Sequence, residues 1–215
     1  MLGQSITRNS MLLALFAVAT GLLLAGSYLL TKDRIAAEIR KAEEKALLQI
    51  FPREKHDNSM LDDTLPIGPG ASALGLRSDK RIYLAKKSGK VVAAIIPATA
   101  RDGYSGDIDL VVGVNADGSV AGVRVLTHKE TPGLGDKVDL AKSDWVLNFD
   151  GRSLDNPKPD GWAVKKDKGV FDAFTGATIT PRAVVSATRR VLEYALENRT
   201  TLFGEETLSS AGGTQ

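Results

Sequence analysis

"DAFTGATITPR" spans Asp172 to Arg182 and sets three threonines, a glycine and a proline directly ahead of an apolar-periodic run. In "PRAVVSATRRVLEYALENR" (Pro181–Arg199), Val184, Val185, Thr188, Val191, Leu192 and Ala195 recur at helical spacing, which predicts an amphipathic helix. Pro181 at the first helical position, with Thr180 as N-cap, is an ordinary helix start, because the N–H that proline lacks would be unpaired there anyway. That cap does not explain Thr178 or the "TGA" run. A helix N-terminus carries unpaired N–H groups and a partial positive charge, so it favours phosphate. Gly176 and Ala177 leave room for close backbone approach. From these residues alone, a plain cap and a phosphate site near Thr178 both stay open.

Upstream of the helix, two hairpins are predicted. "RIYLAKKSGKVVAAIIPATA" has apolar runs on either side of Lys87–Lys90, and "IDLVVGVNADGSVAGVRVL" has them on either side of Asn115–Ser119. "DLAKSDWVLNF" predicts a short helix burying Leu140, Trp145 and Leu147, and "GRSLDNPKPDG" a polar loop. The tail "TLSSAGGTQ" has the composition of a disordered end. Trp145 and Trp162 are expected in the packing, Tyr104 and Ser105 in a turn, Lys165 and Lys166 as a solvated pair, and His56 at the surface.

At the other end, "NSMLLALFAVATGLLLAGSYLLT" (Asn9–Thr31) carries no charge, and its core is about the 20 residues a helix needs to cross a bilayer. This favours an uncleaved anchor over a signal peptide, whose apolar core is shorter, roughly 7–15 residues. "DRIAAEIRKAEEKALLQIF" continues with Ile35, Ile39, Ala42, Ala46 and Ile50 at helical spacing, an amphipathic stalk stopped near Pro52. The expected organisation is a flank (1–10), a transmembrane helix (11–31), a stalk (32–52), one soluble domain (53–200) and a disordered tail (201–215). The fold class is α+β with a mainly antiparallel sheet.

Composition excludes much. There is no cysteine, which removes disulfides, thiolate clusters and a thiol nucleophile. His56 and His128 are the only histidines, and no carboxylate spacing completes a metal site around either. Net charge is +2 with scattered basic residues, unlike the basic stripe of a nucleic-acid binder. Redox chemistry would have to come from an organic cofactor.

"DAFTGAT" resembles the acceptor motif of the covalent FMN-binding domain family, which runs Asp, two variable positions, Ser or Thr, Gly, Ala, Thr. The resemblance implies that a flavin transferase joins the FMN phosphate to Thr178 by a phosphoester. Asp172, Thr175, Gly176 and Ala177 match the rest of the motif, and Thr180 lies just beyond it. "DGYSGDIDLVVGV" (Asp102–Val114) and "THKETPGLGDKV" (Thr127–Val138) are similar to family segments that precede the acceptor. Pro132, Gly133 and Gly135 make a loop poor in side chains that can lie against a flat ring, with Leu134 between them. Glu130 and Thr131 can offer it polar contacts.

Together with the anchor and stalk, "SDWVLNF", "GWAVKKD" and "TGATITPRAVV" resemble the G-subunit family of Rnf-type (Rsx) ion-translocating electron-transport complexes more than other FMN-binding domains. The related C-subunit family of sodium-pumping NADH:quinone reductases shares the motif. The resemblance implies an FMN electron relay that is not catalytic alone, working with the other proteins of the complex, a maturing flavin transferase and the bilayer. It also implies the bacterial inner membrane, with the flavin domain on the periplasmic side. Basic residues Lys32, Arg34, Arg40, Lys41 and Lys45, counted alone, lean towards the cytoplasm; the expectation follows the family. Two other readings fit the residues: a cofactor-free anchored binding module, and a self-contained flavin reductase, for which no acid/base set is found.

Overall fold

The computed structural model of the chain describes residues 2–77 and 79–204. The chain divides into two units, Met1–Glu43 and Glu44–Gln215. Helix α1 (Leu2–Ile50) makes up the first unit and opens the second. Its Arg8–Glu38 stretch is long and apolar enough to cross a membrane, and its large apolar side chains are exposed. Thr20 and Thr31 donate their hydroxyls to Phe16 O and Ser27 O, each at 2.8 Å. These bonds satisfy both side chains within the helix, as an apolar medium requires.

The second unit is built on strands β1 (Thr64–Pro66), β2 (Arg81–Lys87), β3 (Lys90–Gly103), β4 (Gly106–Asn115) and β5 (Val120–Thr127), paired antiparallel in chain order. Ser88 and Gly89 both have positive φ (52° and 78°), the geometry of a two-residue hairpin turn, and they close Lys87 against Lys90. In the second turn, Asp117 Oδ1 accepts the Ser119 N–H at 2.8 Å. The four expected strands are present. β1 is an addition, three residues long and ending on a proline that suits only a sheet edge.

Both faces of the sheet are covered, which is why β3 is buried without a break from Ala93 to Ala100. Ala94, Ile96, Ala98 and Ala100 face helix α2 (Ile179–Glu197) and a cluster of Trp145, Phe149, Trp162 and Phe171. Ala93 and Ile95 face Leu47, Ile50 and Phe51 at the end of α1. Gly113 and Gly122 pair across β4 and β5 and form a notch for Ile50; a Cβ on Gly113 would collide with Ile50 Cγ2. Beside the notch, the buried Arg124 guanidinium donates to Gln49 O at 2.9 Å, placing a cation at the helix C-terminus.

Three expectations change. The "SDWVLNF" turn is a 3-10 helix (Asp144–Phe149) that buries Trp145, Val146 and Phe149; Leu147 is 39% exposed and Leu140 only partly buried. His56 is buried, with Nδ1 3.1 Å from Pro52 O. The domain runs past 200 into α3 (Arg199–Phe203), whose Leu202 and Phe203 are buried. The rest of the expected disordered tail, 205–215, lies outside the described residues.

Candidate functional site

Helix α2 begins at Ile179, which puts Thr178 at the N-cap position (φ −75°, ψ −26°). This corrects the expected cap. Thr180 belongs to the first turn, is fully buried, and donates its hydroxyl to Glu130 Oε2 at 2.5 Å. Thr178 is half-buried, and among the described residues its hydroxyl makes no capping bond. It therefore stands uncommitted where the first N–H groups of a helix lack intrahelical partners. Pro181 adds no donor, which leaves those of Ile179 and Thr180.

The residues before it form a shelf. Ala177 N–H donates to Phe174 O at 3.0 Å and closes a turn with Thr175 and Gly176 at its exposed tip. Gly176 has φ 81°, where a side chain is strained. Phe174 is buried edge-on against Trp145, centroids 5.2 Å apart, and Trp145 Nε1 donates to Asp172 O at 2.8 Å. The indole thus pins the start of the motif from inside the core. The Asp172 carboxylate pairs at the surface with Lys165 at 2.7 Å. Arg182 binds Asp167 through two nitrogens, at 2.5 and 2.6 Å. That contact holds the Asp167 carboxyl below its usual range and raises the guanidinium.

The loop after β5 closes over the first turn of α2. Glu130 is 5% exposed; Oε1 accepts the Ser105 N–H at 2.9 Å, and Oε2 accepts the Thr180 hydroxyl. One carboxylate thereby ties the β3–β4 turn, the β5 loop and α2 together. Leu134 and Gly135 N–H both donate to Thr131 O, at 3.1 and 3.2 Å. Gly135 is wedged so tightly that a Cβ would lie 2.7 Å from both Glu130 Oε2 and Thr180 Oγ1. Leu134 is 42% exposed, and its Cδ2 would lie 3.7 Å from a Cβ on Gly176. Thr131 and Gly133 lie on the exposed outer part of the loop.

The structure thus gathers Glu130, Leu134, Gly176, Thr178 and Thr180, drawn from two segments some forty residues apart. Tyr104, in the β3–β4 turn, and Ile179 are exposed at 69% and 44%. Sequence reasoning passed over Asp136, which is 7% exposed and whose Oδ1 is buried with no hydrogen-bond partner among the described residues. Its signal was the charge closing an otherwise small and apolar "PGLGD" run. A separate cavity of about 200 Å³, lined in part by Leu192, Leu196, Arg199 and Phe203, lies towards the other end of α2 and shares no residue with this cluster.

Known proteins are similar to this chain. Residues 103–193 match the FMN-binding domain, and residues 1–50 match the RnfG N-terminal region. The G subunit of the ion-translocating oxidoreductase complex of Pseudomonas aeruginosa (strain UCBPP-PA14) is 49% identical over 203 residues, 94% of each chain. The same-named protein of Pseudoalteromonas atlantica is 48% identical over 200 residues, 93% of each. The crystal structure of Shewanella oneidensis NqrC is 25% identical, with a TM-score of 0.46 over 73% of each chain. Near-half identity across almost the whole length means that the chain belongs to the family of G subunits of ion-translocating oxidoreductase complexes.

Proposed function

We propose that the chain is the membrane-anchored flavoprotein of an ion-translocating electron-transport complex of the ferredoxin:NAD⁺ oxidoreductase type, with FMN joined to Thr178 by a phosphoester. The observation that carries this reading is the Thr178 hydroxyl: it sits at a helix N-terminus and leaves the cap unmade. Bound FMN supplies one- and two-electron transfer.

The residues present fit that group. The hydroxyl offers the ester oxygen, and the first N–H groups of α2, with the helix dipole, offset the remaining phosphate charge. Gly176 keeps the approach open, and exposed Leu134 and Ile179 offer apolar surface to a ring. Thr175, Gly176 and Ala177 form the turn that a transferase must read, with Asp172 at its entrance. Glu130, with both oxygens engaged, holds the loop in place. Thr131 and Gly133 line its outer side. No side chain in this scheme acts as general acid or base, so Thr178 is a tether and turnover needs the other proteins of the complex.

The anchor Arg8–Glu38 holds the protein in the bacterial inner membrane, with the domain on the periplasmic side. A covalent tether suits that side, where a dissociated cofactor would be lost. Peptide mapping of the native protein should find the flavin on the peptide containing Thr178; flavin on any other peptide, or none, refutes the tether. A reporter fused after Gly204 should read out on the periplasmic side.

A further inference from the structure

Asp136 begins where the Glu130 clamp ends. Its neighbour Gly135 is pressed between Glu130 and Thr180, so the Asp136 backbone is fixed against the first turn of α2. Asp136 is more than nine-tenths buried, yet Oδ1 has no donor among the described residues. An unpaired buried carboxylate oxygen is unfavourable, and native proteins rarely keep one without a reason. Glu130, in the same loop, shows the contrast: each of its oxygens has a donor.

A carboxylate only accepts hydrogen bonds, so whatever completes Asp136 must donate. Phosphate does not qualify, because it brings acceptors and like charge. On FMN the donors are the ribityl hydroxyls and the ring N3–H. The ribityl chain is the part next to the phosphate, and the phosphate would be held two residues from Thr180.

We propose that Asp136 is a flavin-binding residue whose buried carboxylate accepts a hydrogen bond from the ribityl chain or ring of the cofactor. This rests on the Thr178 tether proposed above. It assigns the second carboxylate of the loop to the cofactor, and the first to the protein.

The test uses the full chain in detergent. In a Thr178→Ala background, FMN and riboflavin are titrated by fluorescence against the chain with Asp136 intact and against Asp136→Asn and Asp136→Ala. Both flavins should bind about tenfold more weakly to Asp136→Ala, the size of one hydrogen bond to a charged group. Asp136→Asn, which keeps an acceptor but loses the charge, should fall between. Melting temperature separates this role from a structural one. In chain made without a flavin transferase, Asp136→Asn should leave Tm unchanged or raise it, since an unpaired buried charge is removed. In flavin-loaded chain it should lower Tm. Unchanged flavin affinity, or an equal Tm loss with and without flavin, overturns the role of Asp136 and leaves the tether standing. A wild-type chain that takes up no FMN at Thr178 overturns both.

Discussion

Thr180 Oγ1 donates to Glu130 Oε2 at 2.5 Å, across fifty positions of sequence. The bond takes the threonine that local capping rules would assign to the helix end and gives it to a distant loop. It leaves Thr178 at the cap with its hydroxyl unused. Glu130→Ala should therefore cost about 2–4 kcal/mol, because it orphans a buried hydroxyl as well as removing two bonds. Glu130→Gln should cost about 1 kcal/mol, since its amide can donate to Thr180 while its carbonyl still accepts from Ser105. Urea unfolding measures both, and flavin incorporation should fall in the same order.

Gly135 tests the packing of that clamp. With a Cβ only 2.7 Å from Glu130 Oε2 and Thr180 Oγ1, Gly135→Ala should destabilise by about 1–3 kcal/mol. Gly133→Ala, with open space around it but φ at 78°, should cost about 1 kcal/mol from the backbone alone. A Gly135→Ala protein as stable as wild type would mean that the loop does not press on α2.

Much of the fold could be read from the sequence because it is local. Alternation and Gly-containing turns gave β2 to β5, and 3.6-residue periodicity gave α2. The failures are physical. β1 is three residues long and ends at Pro66, so it carries no alternation to detect. Leu147 was expected inside a short helix with Leu140 and Trp145, but Asp144–Phe149 is a 3-10 helix, in which residues three apart line up, so Val146 and Phe149 face the core together and Leu147 stays 39% exposed. The cap fell on Thr180 because Thr-Pro is a sound local signal; the competing bond to Glu130 is invisible to any local reading. The likeness of "DAFTGAT" to the motif of the FMN-binding family was legible as a resemblance. The orphaned oxygen of Asp136 was not, because burial is a tertiary property.

The packing of Ile50, within the second unit, on the sheet makes a separate prediction. Gly113→Ala forces a methyl against Ile50 Cγ2 and should cost about 1–3 kcal/mol. Ile50→Ala alone should also destabilise by about 2–5 kcal/mol. Combined, the two should cost less than their sum, because each relieves the other's defect; a double-mutant cycle checks this. Strict additivity would mean the notch is not a steric seat.

Acid stability should report on Asp63. Its carboxylate is held below the ordinary 3.8 first by the hydrogen bond from Lys86 and then by that from Asn58. A folded pKa below the unfolded one means that the unfolded chain binds the proton more readily. The stability Asp63 contributes is thus complete above pH 3.8 and is lost as pH falls through the lowered folded value. Asp63→Asn should accordingly be less stable than wild type near neutrality, and the gap should shrink below about pH 4. A gap that widens in acid would contradict the assignment.

The tether is tested most directly by intact mass. The full chain, co-expressed with a flavin transferase, should carry an adduct equal to FMN less one water, as a phosphoester requires. Thr178→Ala should abolish it, while Thr175→Ala should reduce its yield without removing the acceptor. An unmodified wild-type chain, or an adduct that survives Thr178→Ala, would contradict the assignment of Thr178 as the flavin carrier.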